Sequence, residues 1–163
     1  MNKIKFNFLL VLSFIVSAAI PNPPDLGVGS YVLYEPNTKK VLVSFNADEP
    51  VQPASLTKLM TSYVVADYIK EDFIRLDDTP KISIKAWKTE GSRMFIREGT
   101  KVAVSDLIKG MIIQSGNDAS VALAEHVAGS EENFAYLMNE YASQLGMQNS
   151  SFNNASGLPD PLN

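Results

Sequence analysis

No feature constrains this chain more than Pro53-Ala54-Ser55-Leu56-Thr57-Lys58-Leu59-Met60-Thr61, which sets a serine and a lysine one helical turn apart at the head of a strongly apolar run. Residues three apart on a helix share a face, with about 5–6 Å between Cβ atoms, so the Lys58 amine can reach the Ser55 hydroxyl. A hydroxyl is a weak nucleophile at neutral pH and needs a base beside it. The run from Leu59 to Ile69 carries apolar residues around most of its circumference, the pattern of a helix buried inside a domain. Burial strips water from Lys58, disfavours its ammonium form and makes the amine a proton acceptor near neutral pH. The same spacing also arises by chance as a helix-start serine and a solvated lysine, so taken alone it leaves both readings open.

A second segment, Leu107-Ile108-Lys109-Gly110-Met111-Ile112-Ile113-Gln114-Ser115-Gly116-Asn117-Asp118-Ala119-Ser120, reads as a helix, a tight break at Gly116 and another helix. Ser115 and Asn117 then sit where two apolar helices meet at an irregular loop, a place where polar groups point into clefts. Serine-x-asparagine by itself discriminates little. Ser151-Phe152-Asn153 repeats the pattern and reads as loop capping.

The two segments in this order resemble the serine D-alanyl-D-alanine carboxypeptidases, the low-molecular-weight penicillin-binding proteins. The likeness extends to Gly91-Ser92-Arg93-Met94-Phe95, Leu145-Gly146-Met147 and Gly157-Leu158, and runs from about residue 27 to the end. It implies an α/β (α+β) fold of the β-lactamase/transpeptidase type, an antiparallel sheet packed against a helical cluster with its C-terminal strands missing. It also implies that Ser55 attacks the carbonyl between two terminal D-alanines of a peptidoglycan stem peptide, leaving an acyl ester that water hydrolyses. Lys58 would take the Ser55 proton, Ser115 would relay one to the leaving amine, and Asn117 would orient the substrate amide and tether Lys58. The Ser55 backbone N–H would be one of two oxyanion donors. β-Lactam antibiotics would acylate the same serine, and no cofactor is implied.

The family's third motif, lysine-threonine-glycine, does not occur in these 163 residues. Lys88-Thr89-Glu90-Gly91 precedes the second motif, has glutamate where glycine belongs, and reads as a loop. That missing strand would supply a cation for the substrate carboxylate and the second oxyanion donor, and losing one such donor costs about 2.7–4 kcal/mol. The expectation is a fragment or a truncated copy of an enzyme with little turnover of its own. Two alternatives stay open: a serine β-lactamase, although Gly157 to Asn163 holds no deacylating glutamate, and a non-catalytic remnant that binds peptidoglycan.

Residues 1–19 read as a secretory signal peptide: Lys3 and Lys5, then an apolar stretch from Phe8 to Val16, then small residues to Ala19. An uncleaved anchor is the alternative, with an apolar core short for a span. Residues 20–163 are then part of one catalytic domain, exported to the periplasm or the outer face of the cytoplasmic membrane. Membrane association would come only through a C-terminal segment not present here. Cleavage removes two lysines and no acidic residue, moving the formal net charge from -4 to -6. That balance argues against nucleic acid and anionic lipid as partners. With no cysteine there is no disulfide framework.

Beyond the Pro21-Asn22-Pro23-Pro24 leader, Gly29 to Glu35, a turn at Pro36-Asn37-Thr38, and Lys40 to Phe45 predict a β-hairpin. Lys81-Ile82-Ser83-Ile84-Lys85 alternates like a strand. Ser105 reads as the cap of the helix leading to Ser115, and Ser130 as the cap of a helix with Glu131 and Glu132 in its first turn, ending at Gly146. His126, the only histidine, has no signalled partner for a serine-histidine-aspartate triad, and no cluster suits a metal. Trp87 and Tyr63 read as packing residues, and Asp118 as a favourable charge at a helix start. A hairpin lacking its neighbouring strands would present an open sheet edge.

Overall fold

The computed structural model describes residues 24–160; the predicted signal peptide, residues 1–19, lies outside them. The chain divides into two compact units, Met1–Pro50 and Val51–Asn163.

The first unit contains an antiparallel hairpin of β1 (Tyr31–Glu35) and β2 (Lys40–Phe45). Pairing runs from Tyr31 opposite Phe45 to Glu35 opposite Lys40, with an irregularity between Leu33 and Tyr34. Glu35 organises the turn by accepting backbone N–H bonds from Asn37 (3.1 Å) and Thr38 (2.6 Å). The Tyr31 and Phe45 rings stack at 5.9 Å. The hairpin is where the alternating pattern predicts it.

Among the described residues the second unit holds five helices: α1 (Thr57–Lys70), α2 (Ile84–Lys88), α3 (Val104–Ile113), α4 (Asn117–Ala128) and α5 (Glu131–Gln144). A 3-10 turn, Ala54–Leu56, leads into α1. α4 is central and packs against α1, α2, α3 and α5. Every residue from Asn117 to Ala124 is buried, because small side chains let the surrounding helices approach and the polar ones find partners. Val64, Leu107, Met111, Leu123, Phe134 and Met138, each at most 1% exposed, fill the core around it.

Three local expectations are corrected. Lys81 makes only an isolated bridge with Lys101, and Ile84 and Lys85 are helical, because the Ser83 side chain accepts the Ala86 N–H (3.0 Å) and starts α2. Ser105 is not a cap: α3 begins at Val104 without a side-chain cap, and the Ser105 N–H bonds the Leu76 carbonyl instead. α1 is not buried all round, since Leu59 is 71% and Tyr63 49% exposed. Ser130 does cap α5, accepting the Asn133 N–H at 3.1 Å.

Candidate active site

Ser55 lies on the 3-10 turn and is exposed, whereas Lys58, one turn on in α1, is only 6% exposed. The Lys58 Nζ is 3.2 Å from Ser55 Oγ, 2.7 Å from Asn117 Oδ1 and 2.8 Å from the Ser156 carbonyl. All three are uncharged oxygens, so no anion holds the amine in its charged form, and burial pushes the Lys58 pKa below its ordinary value. A neutral amine has two hydrogens and one lone pair. In the deprotonated form the two short contacts would take the hydrogens and leave the lone pair facing the Ser55 hydroxyl.

Ser115 completes the group by donating to Ser55 Oγ at 3.0 Å. It holds φ 53, the left-handed region that usually follows a helix as glycine. The break is therefore made by Ser115, while the expected breaker, Gly116, has an ordinary φ of −64. Gly116 is needed for space, since a Cβ there would lie 3.0 Å from Asp118 Oδ1 and 3.1 Å from the Gly110 carbonyl. Ala54, just before Ser55, also takes a left-handed φ of 47. Such conformations cost about 1–3 kcal/mol each and persist where the surroundings overdetermine them.

Asn117 is oriented from two sides. Its Nδ2 donates to the Glu90 carbonyl (2.7 Å), its backbone N–H to the Ser92 carbonyl (2.7 Å), and this leaves Oδ1 for Lys58. Gly91 allows the approach: it has φ 81, and a Cβ would come within 2.7 Å of Asn117 Nδ2. The segment dismissed as an imitation of the third motif thus supplies a positioning carbonyl. Asp118, fully buried, is more than a helix-start charge. Its carboxylate accepts N–H bonds from Met94 (3.0 Å), Ile96 (3.2 Å) and Ala119 (2.9 Å), fastening the 91–97 segment to α4.

The contribution that motif reasoning missed comes from residues 152–157. Asn139 accepts the Phe152 N–H and donates to its carbonyl, at 2.9 and 2.7 Å. Buried Glu131 accepts the Ala155 N–H at 3.0 Å, and Thr61 donates to the Ala155 carbonyl at 2.8 Å. These bonds hold the Ser156 carbonyl against Lys58 without regular secondary structure. Gly157, at φ 79, abuts the Ala54 carbonyl so closely that any Cβ would collide with it. That glycine was the available signal.

Other expectations resolve simply. His126 pairs with Asp78 at 3.2 Å, away from Ser55. Trp87 is 41% exposed and so lies outside the core; Tyr63 makes an edge contact with Tyr141 at 5.8 Å. Among the described residues no group of three potential metal ligands occurs, and no helix is long and apolar enough to cross a membrane. A cavity of about 640 Å³ is lined by Lys85, Glu131, Tyr136 and Ser156 but not by Ser55.

A family model described as D-alanyl-D-alanine carboxypeptidase matches residues 17–163. The chain is 44% identical over 162 residues to D-alanyl-D-alanine carboxypeptidase DacC of Escherichia coli (strain K12), covering 96% of this chain and 40% of that protein. Its structure resembles that of penicillin-binding protein 5 from Haemophilus influenzae, with TM-score 0.83 and 43% identity over 87% of this chain and 42% of that one. It also resembles penicillin-binding protein D2 from Listeria monocytogenes in its ampicillin-bound form, with TM-score 0.74 and 27% identity over 86% of this chain and 56% of that one. The helices and hairpin are thus part of the penicillin-binding protein fold, as the motifs predict. The chain spans about two fifths of the length of the curated relatives it matches.

Proposed function

We propose, on the premise that this chain belongs to the D-alanyl-D-alanine carboxypeptidase family, that Ser55 is the acyl-accepting nucleophile of a serine-type carboxypeptidase acting on peptidoglycan stem peptides. The observation that carries the reading is the Lys58 amine, buried among three neutral oxygens and 3.2 Å from Ser55 Oγ. Ser55 Oγ bonds to the carbonyl carbon of the penultimate D-alanine as its proton passes to Lys58 Nζ. The tetrahedral adduct collapses, the C–N bond breaks, and the leaving D-alanine amine takes a proton through Ser115, which stands 3.0 Å from Ser55 Oγ. Water then cleaves the ester, with Lys58 again accepting a proton. Asn117 holds Lys58 and presents its amide to the substrate.

β-Lactams enter the same reaction as acylating inhibitors, and the ampicillin-bound form of the Listeria relative supports this extension. The substrate places the protein outside the cytoplasmic membrane, with residues 1–19 as its export signal, residues 20–163 as part of the catalytic domain, and any membrane association through a C-terminal segment. Incubation with a fluorescent penicillin, followed by mass spectrometry of the labelled peptide, tests the chemistry. The adduct is expected on Ser55, absent in Ser55→Ala, and formed about 10²–10⁴-fold more slowly in Lys58→Ala. Folded protein left unlabelled would refute the reading, and rapid release of hydrolysed penicillin would move it to a β-lactamase.

A further inference from the structure

A second cavity, of about 240 Å³, opens beside the 91–97 segment and is lined by Trp87, Arg93, Phe95, Ile96, Arg97 and Asp118. Three observations on Arg93 and Phe95 mark it. The Arg93 Nε is a buried side-chain polar atom without a hydrogen-bond partner, and Arg93 forms no ion pair with Asp118, although the two line the same cavity. Such an orphan donor costs about 1–3 kcal/mol, which a core evolved only for stability would remove. Phe95, a bulky aromatic, is held in the left-handed region at φ 64 with its side chain 74% exposed. Its ring lies 5.1 Å from the Arg93 guanidinium carbon and offers the buried Nε no hydrogen-bond acceptor.

The charge of the cavity favours an anion. Two arginines face one carboxylate, and that carboxylate is occupied by the N–H groups of Met94, Ile96 and Ala119. A guanidinium edge beside aromatic walls suits a planar carboxylate on a short apolar stem, since the fork makes two parallel bonds to it and the rings cover the stem. The cavity joins the Ser55 site through backbone: the Ser92 carbonyl accepts the Asn117 N–H at 2.7 Å, and Asn117 holds Lys58.

We propose that this cavity is a subsite for a carboxylate, with Arg93 as its principal contact and Phe95 as its movable wall, and that it takes an acidic residue of the peptide whose end is processed at Ser55. The peptide assignment rests on the proposed carboxypeptidase chemistry; the carboxylate chemistry does not. A free carboxylate shares that chemistry, and the experiment separates the two.

Trp87 is the sole tryptophan and lines the cavity, so its fluorescence reports occupancy in the full chain. The probes are acetyl-glutamyl-glycyl-D-alanyl-D-alanine, its glutaminyl counterpart, and glutarate. The glutamyl peptide is expected to titrate at a concentration at least about tenfold lower than the glutaminyl one, as a charge-assisted fork contact requires. Superimposed titrations overturn the proposal. Arg93→Gln removes the discrimination; should that variant fail to fold, Arg93→Lys, which keeps the charge and loses the fork, is expected to weaken it several-fold. A full tenfold preference surviving in either folded variant overturns the assignment to Arg93. After Ser55 is acylated with penicillin, a peptide spanning both sites is displaced while glutarate still binds; retention of the glutamyl peptide overturns the peptide assignment and leaves a free-carboxylate site. Penicillin labelling on the same sample judges the Ser55 chemistry separately. A missing adduct refutes that chemistry, whereas an adduct with superimposed titrations refutes the subsite alone.

Discussion

The hairpin and the helical unit show two ways of using apolar residues. In the hairpin, Val32, Leu33, Tyr34, Val41, Leu42 and Phe45 are all about half exposed, and what holds the strands is their ladder, one ring stack and the Glu35 turn. In the helical unit, α4 buries eight successive residues, three of them polar, and each of those three has partners. A two-stranded ribbon is marginal by its own contacts, whereas a helix enclosed by four others supports strained backbone at Ala54 and Ser115. The group of Ser55, Lys58, Ser115 and Asn117 is accordingly built where contacts are dense enough to bury a lysine amine.

The largest expected difference between the two regions is in backbone protection. Hydrogen exchange should show amides of α1 and α4 protected at least about a thousandfold more than those of β1 and β2. Equal protection would break the comparison by placing the strands in the same cooperative unit. Next comes truncation: Leu123→Ala should cost about 2–5 kcal/mol in a denaturation experiment, against about 0.5 kcal/mol or less for Val32→Ala. A smaller effect tests the caps. Ser83→Ala should lose about 0.5–2 kcal/mol, while Ser105→Ala stays within about 0.5 kcal/mol, because of these two serines Ser83 alone caps a helix.

Dependence on pH is the mildest test, and stability rises with pH in both regions, over an acid interval for the hairpin and an alkaline one for the helical unit. Hydrogen bonds from Thr38 and Asn37 lower the Glu35 pKa from 4.5 to about 2. The unfolded hairpin therefore binds more protons in that interval, and the turn's stabilisation, complete above 4.5, is lost as pH falls through about 2. Glu35→Gln should flatten this acid limb in a chemical-shift titration. Lys58, lowered from 10.5 by burial, makes the folded helical unit the poorer proton binder below 10.5. Its burial penalty is full below the folded pKa and fades as pH rises towards 10.5, so stability rises with pH there. Lys58→Met should flatten that alkaline limb in denaturant midpoints.

Local pattern carried much of this reading. Alternation over Tyr31 to Phe45 located the hairpin, acidic residues after Ser130 located α5, and serine three before lysine located a hydroxyl and an amine 3.2 Å apart. It failed where one signal had two physical causes. The alternation of Lys81 to Lys85 was overridden by the Ser83 cap, and an apolar circumference pointed to α1 as the enclosed helix when the small residues of α4 fill that place. Gly116 looked like a conformational breaker and proved to be a spacer, with Ser115 bearing the left-handed turn.

The order of residues by itself determined which groups meet at short range: Ser55 with Lys58, the hairpin partners, the caps and the family to which the chain belongs. Only the tertiary structure decided that Lys58 faces Asn117 and the Ser156 carbonyl, 59 and 98 residues away in sequence. The reason is physical. A side chain three residues off is placed by helix geometry alone, but the oxygens that hold an amine free of water must be carried to it by the packing of α1, α4 and the 152–157 segment, and packing depends on the whole enclosed surface and not on any local pattern.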